Sequence, residues 1–138
     1  MTTEVISLPG EVFKTFIKDK YLLSNYGRMF SLKANRLLKP NKNSCGYIRY
    51  GLIIDKKFKH CFAHINVVRL FGDAKGQLFS DEIIDKNMLL GLNIDHINGD
   101  KNNNSVWNLE IVSHAENMRR LKERLLREAE EDPDRLPY

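Results

Sequence analysis

Asp95 and His96 are adjacent, Asn108 lies 12 residues after the histidine and Asn117 lies 21 residues after it. A carboxylate and an amide carbonyl are hard oxygen donors suited to Mg2+, which takes few protein ligands and keeps waters and substrate phosphates for the rest of its shell. A histidine beside such an ion is in position to take a proton from water. The stretch that carries most of this set, "NIDHINGDKNNNSVWNLE" (93–110), holds six asparagines and a single histidine, yet Ile94, Ile97, Val106, Trp107 and Leu109 are too apolar for a passive tether. It is expected to fold. Taken singly, each residue has a plainer reading: a loop histidine is usually a surface group, asparagines usually make turns, and Asn117 would merely follow a helix cap. A calcium loop of the EF-hand kind is excluded, because with Gly99 as its required glycine the first ligand position falls on Ile94.

These residues need elements to hold them. Asn98-Gly99 is a tight-turn signal between "NIDHI" and "NLEIV", each of strand character. Ser113 with Glu116 makes a capping box, in which hydroxyl and carboxylate satisfy orphan amides at a helix start. The helix is expected from His114 to Glu131, with Met118, Leu121, Leu125 and Ala129 as its buried stripe and "EEDPDRLPY" as an acidic end closed by Pro133. The order is strand, long polar loop, strand, capped helix. Asp95 and His96 leave the end of the first strand, and Asn117 sits in the first two turns of the helix.

Upstream, residues 1–12 read as a lead-in with Pro9-Gly10 as a turn. From Tyr21 to Ile54, short apolar runs are broken by Asn25, Gly27, Pro40, Gly46 and Gly51, which predicts a small antiparallel sheet. In "YIRYGLII", Ile48, Tyr50, Leu52 and Ile54 share the greasier face. "CFAHINVVRLFG" has apolar residues at 62, 65, 68 and 71, one helical stripe ended by Gly72. Residues 73–92 read as a connection with one helical turn around "IIDKNMLL". The chain divides accordingly into a basic β-rich module (1–60), a helix and connection (61–92), and the strand–loop–strand–helix unit (93–138).

The chain has 138 residues, and its 42% hydrophobic and 29% charged fractions are those of an ordinary globular domain rather than a disordered one. Its net charge of +4 conceals a sharper asymmetry. Residues 14–60 carry twelve Lys or Arg against only Asp19 and Asp55, a local net of +10, and the remainder is net −6. Such a block reads as a face for a polyanion, commonly nucleic acid; the bland alternative is a solvated sheet edge that uses lysine to blunt itself. Cys45 and Cys61 are too few for a disulfide framework or a four-cysteine zinc cage, and a zinc site shared with His60 and His64 has weak spacing. No apolar run spans a membrane and the start lacks the plan of a secretion signal, so a cytoplasmic location is expected.

The segments "DHINGDKNNN", "NLEIVS" and "AEN", in that order and spacing, resemble the HNH nucleases of ββα-metal fold, in particular the phage and intron-encoded homing type. "YLLSNYGRMFSL", "RLLKP", "GYIRYGL" and "AHINVVRLFG" resemble the small β module that often precedes that motif, so the likeness runs over roughly residues 12 to 120. Phe13, Ile65 and the Asn98/Asp100 order depart from the family's pattern, and Ile65 stands where arginine often follows the histidine. The resemblance implies an α+β fold, with a β-rich module ahead of a ββα-metal core and a C-terminal helix. It implies a DNA endonuclease in which His96 is the general base, Asp95 and Asn117 hold one divalent cation (Mg2+ or Mn2+), and Asn108 is the scaffold that keeps the imidazole aimed. The products would carry 5′-phosphate and 3′-hydroxyl. The partner would be double-stranded DNA, with Arg28, Lys33, Lys39, Lys42, Arg49, Arg119 and Arg120 as the phosphate contacts and the helix at the minor groove. A phage origin would place it in the host cytoplasm. Many homing relatives carry a further DNA-reading domain, whereas this chain ends soon after Asn117, so a homodimer is one way to supply the missing contacts. The alternative reading is a catalytically inert DNA-binding or regulatory protein that retains the fold.

Overall fold

A computed structural model of the chain describes residues 6–76 and 92–131. The helical turn expected around 83–90 and the acidic end beyond Glu131 lie outside the described residues. The fold is α+β. Strands β1 (Phe13–Ile17), β2 (Tyr21–Ser24), β3 (Met29–Ser31) and β4 (Arg36–Leu37) form an antiparallel meander, and β5 (Asn41–Lys42), β6 (Ile48–Ile54) and β7 (Lys57–Phe62) form a second antiparallel sheet. Helix α1 (Ala63–Phe71) follows directly, then β8 (Leu92–His96), a 3-10 turn (Val106–Asn108), β9 (Leu109–Ser113) and helix α2 (His114–Glu131).

The alternation read in β6 is the one observed: Ile48, Tyr50 and Leu52 are buried while Arg49, Gly51 and Ile53 are not. Their faces meet Leu23, Met29, Ala63, Val67, Val68 and Leu109, so a single core joins both sheets, α1 and β9. Strand β7 was not expected from the sequence. Its first four residues are exposed, so no period could be read, and its turn at Asp55-Lys56 uses two non-glycine residues at φ 52° and 64° where a hairpin usually spends Asn-Gly.

Both helices among the described residues bury other residues than the apolar pattern predicts. In α1 the buried set is Ala63, His64, Asn66, Val67 and Val68, whereas Phe62, Ile65 and Phe71 are only half-buried; Gly72, at φ 88°, does end the helix. Two polar residues go inward because they have company: the Asn66 amide donates to the Phe62 carbonyl at 2.7 Å and the His64 ring stacks on Tyr47. In α2 none of the expected stripe is buried; Met118 is 48% and Leu121 43% exposed. That helix docks through a polar face instead, presenting Arg120 and Arg124 to β8. Its capping box is half realised. Ser113 Oγ accepts the Glu116 amide at 3.0 Å, but the Glu116 carboxylate turns to Arg119 and Arg120, which hold it down to about 2.

Candidate active site

Strands β8 and β9 pair so that Asp95 lies opposite Glu110 and His96 opposite Leu109. Successive strand residues face opposite ways. Asp95, 4% exposed, and Glu110 therefore face α2, where Arg120 Nη1 donates to Asp95 Oδ2 at 2.9 Å and to Glu110 Oε2 at 3.0 Å. Arg124 Nη2 reaches Asp95 Oδ1 at 3.3 Å. Lys75 and Arg120 together hold the Glu110 carboxyl below the usual carboxylate range. Asn117, half-buried, is one helical turn before Arg120 and two before Arg124, within the arc of α2 that reaches Asp95. The fold thus sets Asp95 and the Asn117 face of the helix on one side of the β8–β9 ribbon.

His96 turns to the other side. Its ring lies 5.4 Å from that of His64 and 6.0 Å from that of Tyr47, and Tyr47 stacks on His64 at 4.8 Å. Lys101 Nζ covers Tyr47, 4.7 Å from its ring centre, and donates to the Cys45 carbonyl. Within this wall His96 Nε2 is 2.8 Å from Asn104 Oδ1. The Asn104 amide nitrogen donates to the Lys101 carbonyl at 3.2 Å, which fixes the amide's orientation and makes Oδ1 the acceptor. The Nε2 proton of His96 is therefore committed to Asn104, and Nδ1 is the nitrogen left with a lone pair. Burial pulls the His96 pKa below its ordinary 6.5, with the Asn104 hydrogen bond and Asp95 opposing, so the ring is neutral near pH 7. His64 is drawn down further, to about 3, by burial and by His96, and its Nδ1 has no hydrogen-bond partner among the described residues.

Asn108 ties the loop. Its Oδ1 accepts the Asn98 amide at 3.0 Å, and its Nδ2 donates to Asn98 Oδ1 and the Asn103 carbonyl, both at 2.9 Å. The loop is seated on the upstream sheet: Val106 N donates to Asn25 O at 2.8 Å, Trp107 meets Tyr26 edge-on, and a Cβ on Gly27 would stand 2.9 Å from Asn104 Cβ. Asn104, Tyr47 and Arg124 were not singled out from sequence. Tyr47 and Arg124 act through partners distant in the chain, and Asn104 is one of several asparagines in the loop, with no spacing that marks it as the one to meet His96.

The basic residues divide. Lys33, Lys39 and Lys42 are exposed, and Arg49 is half-buried with its Nε on Asn41. Arg28 is bound to Glu11 and to the Ile6 carbonyl, Arg119 to Glu116 and Glu123, and Arg120 to three carboxylates. Among the described residues no three His, Cys, Asp or Glu side chains cluster as metal ligands. Cys45 is exposed, and burial pushes the Cys61 thiol up, away from the thiolate that zinc prefers.

Residues 90–119 match the family model described as HNH endonuclease. The chain carries an HNH motif. Its strand–loop–strand–helix unit spans β8, the asparagine-rich loop, β9 and the start of α2. The chain is also similar, beyond that segment, to a solved structure concerned with DNA binding and cleavage by the HNH homing endonuclease I-HmuI, at 27% identity and a TM-score of 0.63. That likeness covers 82% of this chain and 59% of the other, so the chain corresponds to little more than half of that structure's length. No curated protein matches the chain. Among the described residues no helix is long and apolar enough to cross a membrane.

Proposed function

We propose that the chain is a divalent-metal-dependent DNA endonuclease that hydrolyses a phosphodiester with His96 as general base. The observation that carries this reading is the hydrogen bond from His96 Nε2 to Asn104 Oδ1, inside the matched HNH segment. It holds the imidazole in one tautomer with Nδ1 as proton acceptor, and burial keeps that acceptor neutral at working pH. Asn108 positions the turn from which the histidine leaves its strand.

Asp95 and Asn117 would hold the cation. The donor set fits Mg2+ or Mn2+: two hard oxygens on one side of the ribbon, with the rest of an octahedral shell left to water and phosphate. Asp95 and His96 leave the strand on opposite faces, so this reading requires the scissile phosphate to lie at the strand's end, within reach of both; there such an ion would neutralise charge on the phosphate and the departing 3′ oxygen. The expected products are 5′-phosphate and 3′-hydroxyl ends. Double-stranded DNA would lie along the basic upstream sheet, with Lys33, Lys39, Lys42 and Arg49 as phosphate contacts, and affinity would fall steeply with salt because releasing counterions gains less entropy as the bulk salt rises.

Supercoiled plasmid incubated with Mg2+ and with wild type or His96→Ala tests the reading. Wild type should yield nicked or linear product and His96→Ala should lose roughly a hundredfold or more of that rate. Equal cutting by both proteins would remove His96 from the mechanism. Binding without cutting by wild type would favour an inert DNA-binding protein.

A further inference from the structure

The two arginines that reach Asp95 are held very differently. Arg120 is anchored by Asp95, Glu110 and Glu116 at 2.9 to 3.0 Å. Among the described residues Arg124 reaches this end of β8 through long contacts, at 3.3 Å to Asp95 Oδ1 and at 3.2 and 3.4 Å to the carbonyls of His96 and Ile97, and its side chain is 28% exposed. Distances in that range give weak hydrogen bonds. Arg124 also lies across Gly99, where an added Cβ would come within 3.4 to 3.5 Å of its guanidinium and Cδ. The Arg124 side chain thus lies within van der Waals reach of the Gly99 turn at the end of β8.

We propose that Arg124 is a gate on the Asp95 carboxylate. In the free protein its guanidinium holds a positive charge against Oδ1, the oxygen that a divalent cation would need. A phosphate of bound DNA, which matches the planar guanidinium fork, draws Arg124 away and frees that oxygen. Arg120 stays on its carboxylates and keeps Asp95 oriented throughout. The cation is therefore held weakly by the free protein and tightly in the DNA complex. By linkage the cation raises DNA affinity by the same factor. The inference rests on the reading of Asp95 as a cation ligand.

The test measures Mn2+ binding from the loss of its free-ion electron paramagnetic resonance signal, in a His96→Ala background so that a duplex stays intact. In the free protein, Arg124→Gln should bind Mn2+ roughly tenfold more tightly than the parent, since one charge-assisted hydrogen bond to the carboxylate is gone. Arg127→Gln, one exposed turn-face away on the same helix, controls for net charge and should change affinity by less than about twofold, as a screened surface charge does. Arg124→Lys should fall between parent and Arg124→Gln. With a duplex present, and with the Asp95→Asn complex subtracted as background, parent and Arg124→Gln should bind Mn2+ alike. Equal affinities of parent and Arg124→Gln in the free protein, or an equal gain from Arg127→Gln, would overturn the gate. If Asp95→Asn abolishes binding in that experiment, the ligand assignment stands without the gate; if Asp95→Asn binds Mn2+ as the parent does, the ligand assignment itself is wrong and the gate goes with it.

Discussion

Asn104 Oδ1 accepts a hydrogen bond from His96 Nε2 at 2.8 Å, and the same asparagine lies close against Gly27, whose positive φ of 83° lets the β2–β3 turn approach it. The upstream sheet thereby supports the imidazole at one remove. A residue of the loop sets the tautomer, and a glycine of the preceding module sets the place of that residue.

Replacing the amide of Asn104 by a carboxylate changes the charge felt by the imidazole while keeping the acceptor oxygen. Burial now holds His96 below 6.5, so the acid limb of kcat/KM for wild type should lie below that value. In Asn104→Asp the new carboxylate favours the imidazolium, and the limb should move up by about one to two pH units. Coincident acid limbs in the two proteins would detach Asn104 from His96.

Gly27→Ala combines backbone strain at positive φ with a contact at 2.9 Å against Asn104 Cβ, whereas Gly10→Ala, at φ 73° with nothing within 4 Å of the added Cβ, has the strain alone. Strain of this kind costs about 1 kcal/mol or more. Denaturant melts should therefore show a larger loss for Gly27→Ala than for Gly10→Ala, and only the former should lower kcat. Equal losses in both would mean that the close approach to Asn104 is easily relaxed.

The parts legible in the sequence are those governed by neighbours in the chain. The Asn98-Gly99 turn, the Ser113 hydroxyl cap, the alternation of β6 and the stop at Gly72 each follow from local rules, and each is present. What escaped depends on partners far away. His64 looks polar but is buried because Tyr47, seventeen residues earlier, stacks on its ring. Met118 and Leu121 look like a core stripe, yet α2 lies on its polar side because Asp95 and Glu110 attract Arg120 there. Strand β7 shows no period because its first four residues are exposed on both faces.

The burial of His64 should be visible in the pH dependence of stability. Its folded pKa is lowered to about 3 against an ordinary 6.5. Above 6.5 neither state takes the proton; below it the unfolded chain does and the folded one does not, so stability is lost as pH falls. The slope for one such group is about 1.4 kcal/mol per pH unit, or about 2 kcal/mol between pH 6.5 and 5. Wild type should lose that much more than His64→Gln when denaturant melts at pH 7 and pH 5 are compared, the His96 contribution being common to both. Parallel losses in the two proteins would show that His64 titrates normally.

The Asn108 side chain makes three hydrogen bonds that hold the loop at Asn98 and Asn103, and none of them touches the imidazole. Asn108→Ala leaves the Asn98 amide and the Asn103 carbonyl without these partners at a site only 8% exposed. The cost should be about 2 to 4 kcal/mol in a melt, with faster hydrogen exchange at the Asn98 amide. At a temperature where the variant remains folded, kcat should fall roughly tenfold because the histidine is less well held, since small displacements of a catalytic group are expensive. The acid limb of its pH profile should stay where the wild type has it, because Asn104 still sets the imidazole's proton. A shifted limb would place Asn108 in contact with the titrating group rather than beneath it.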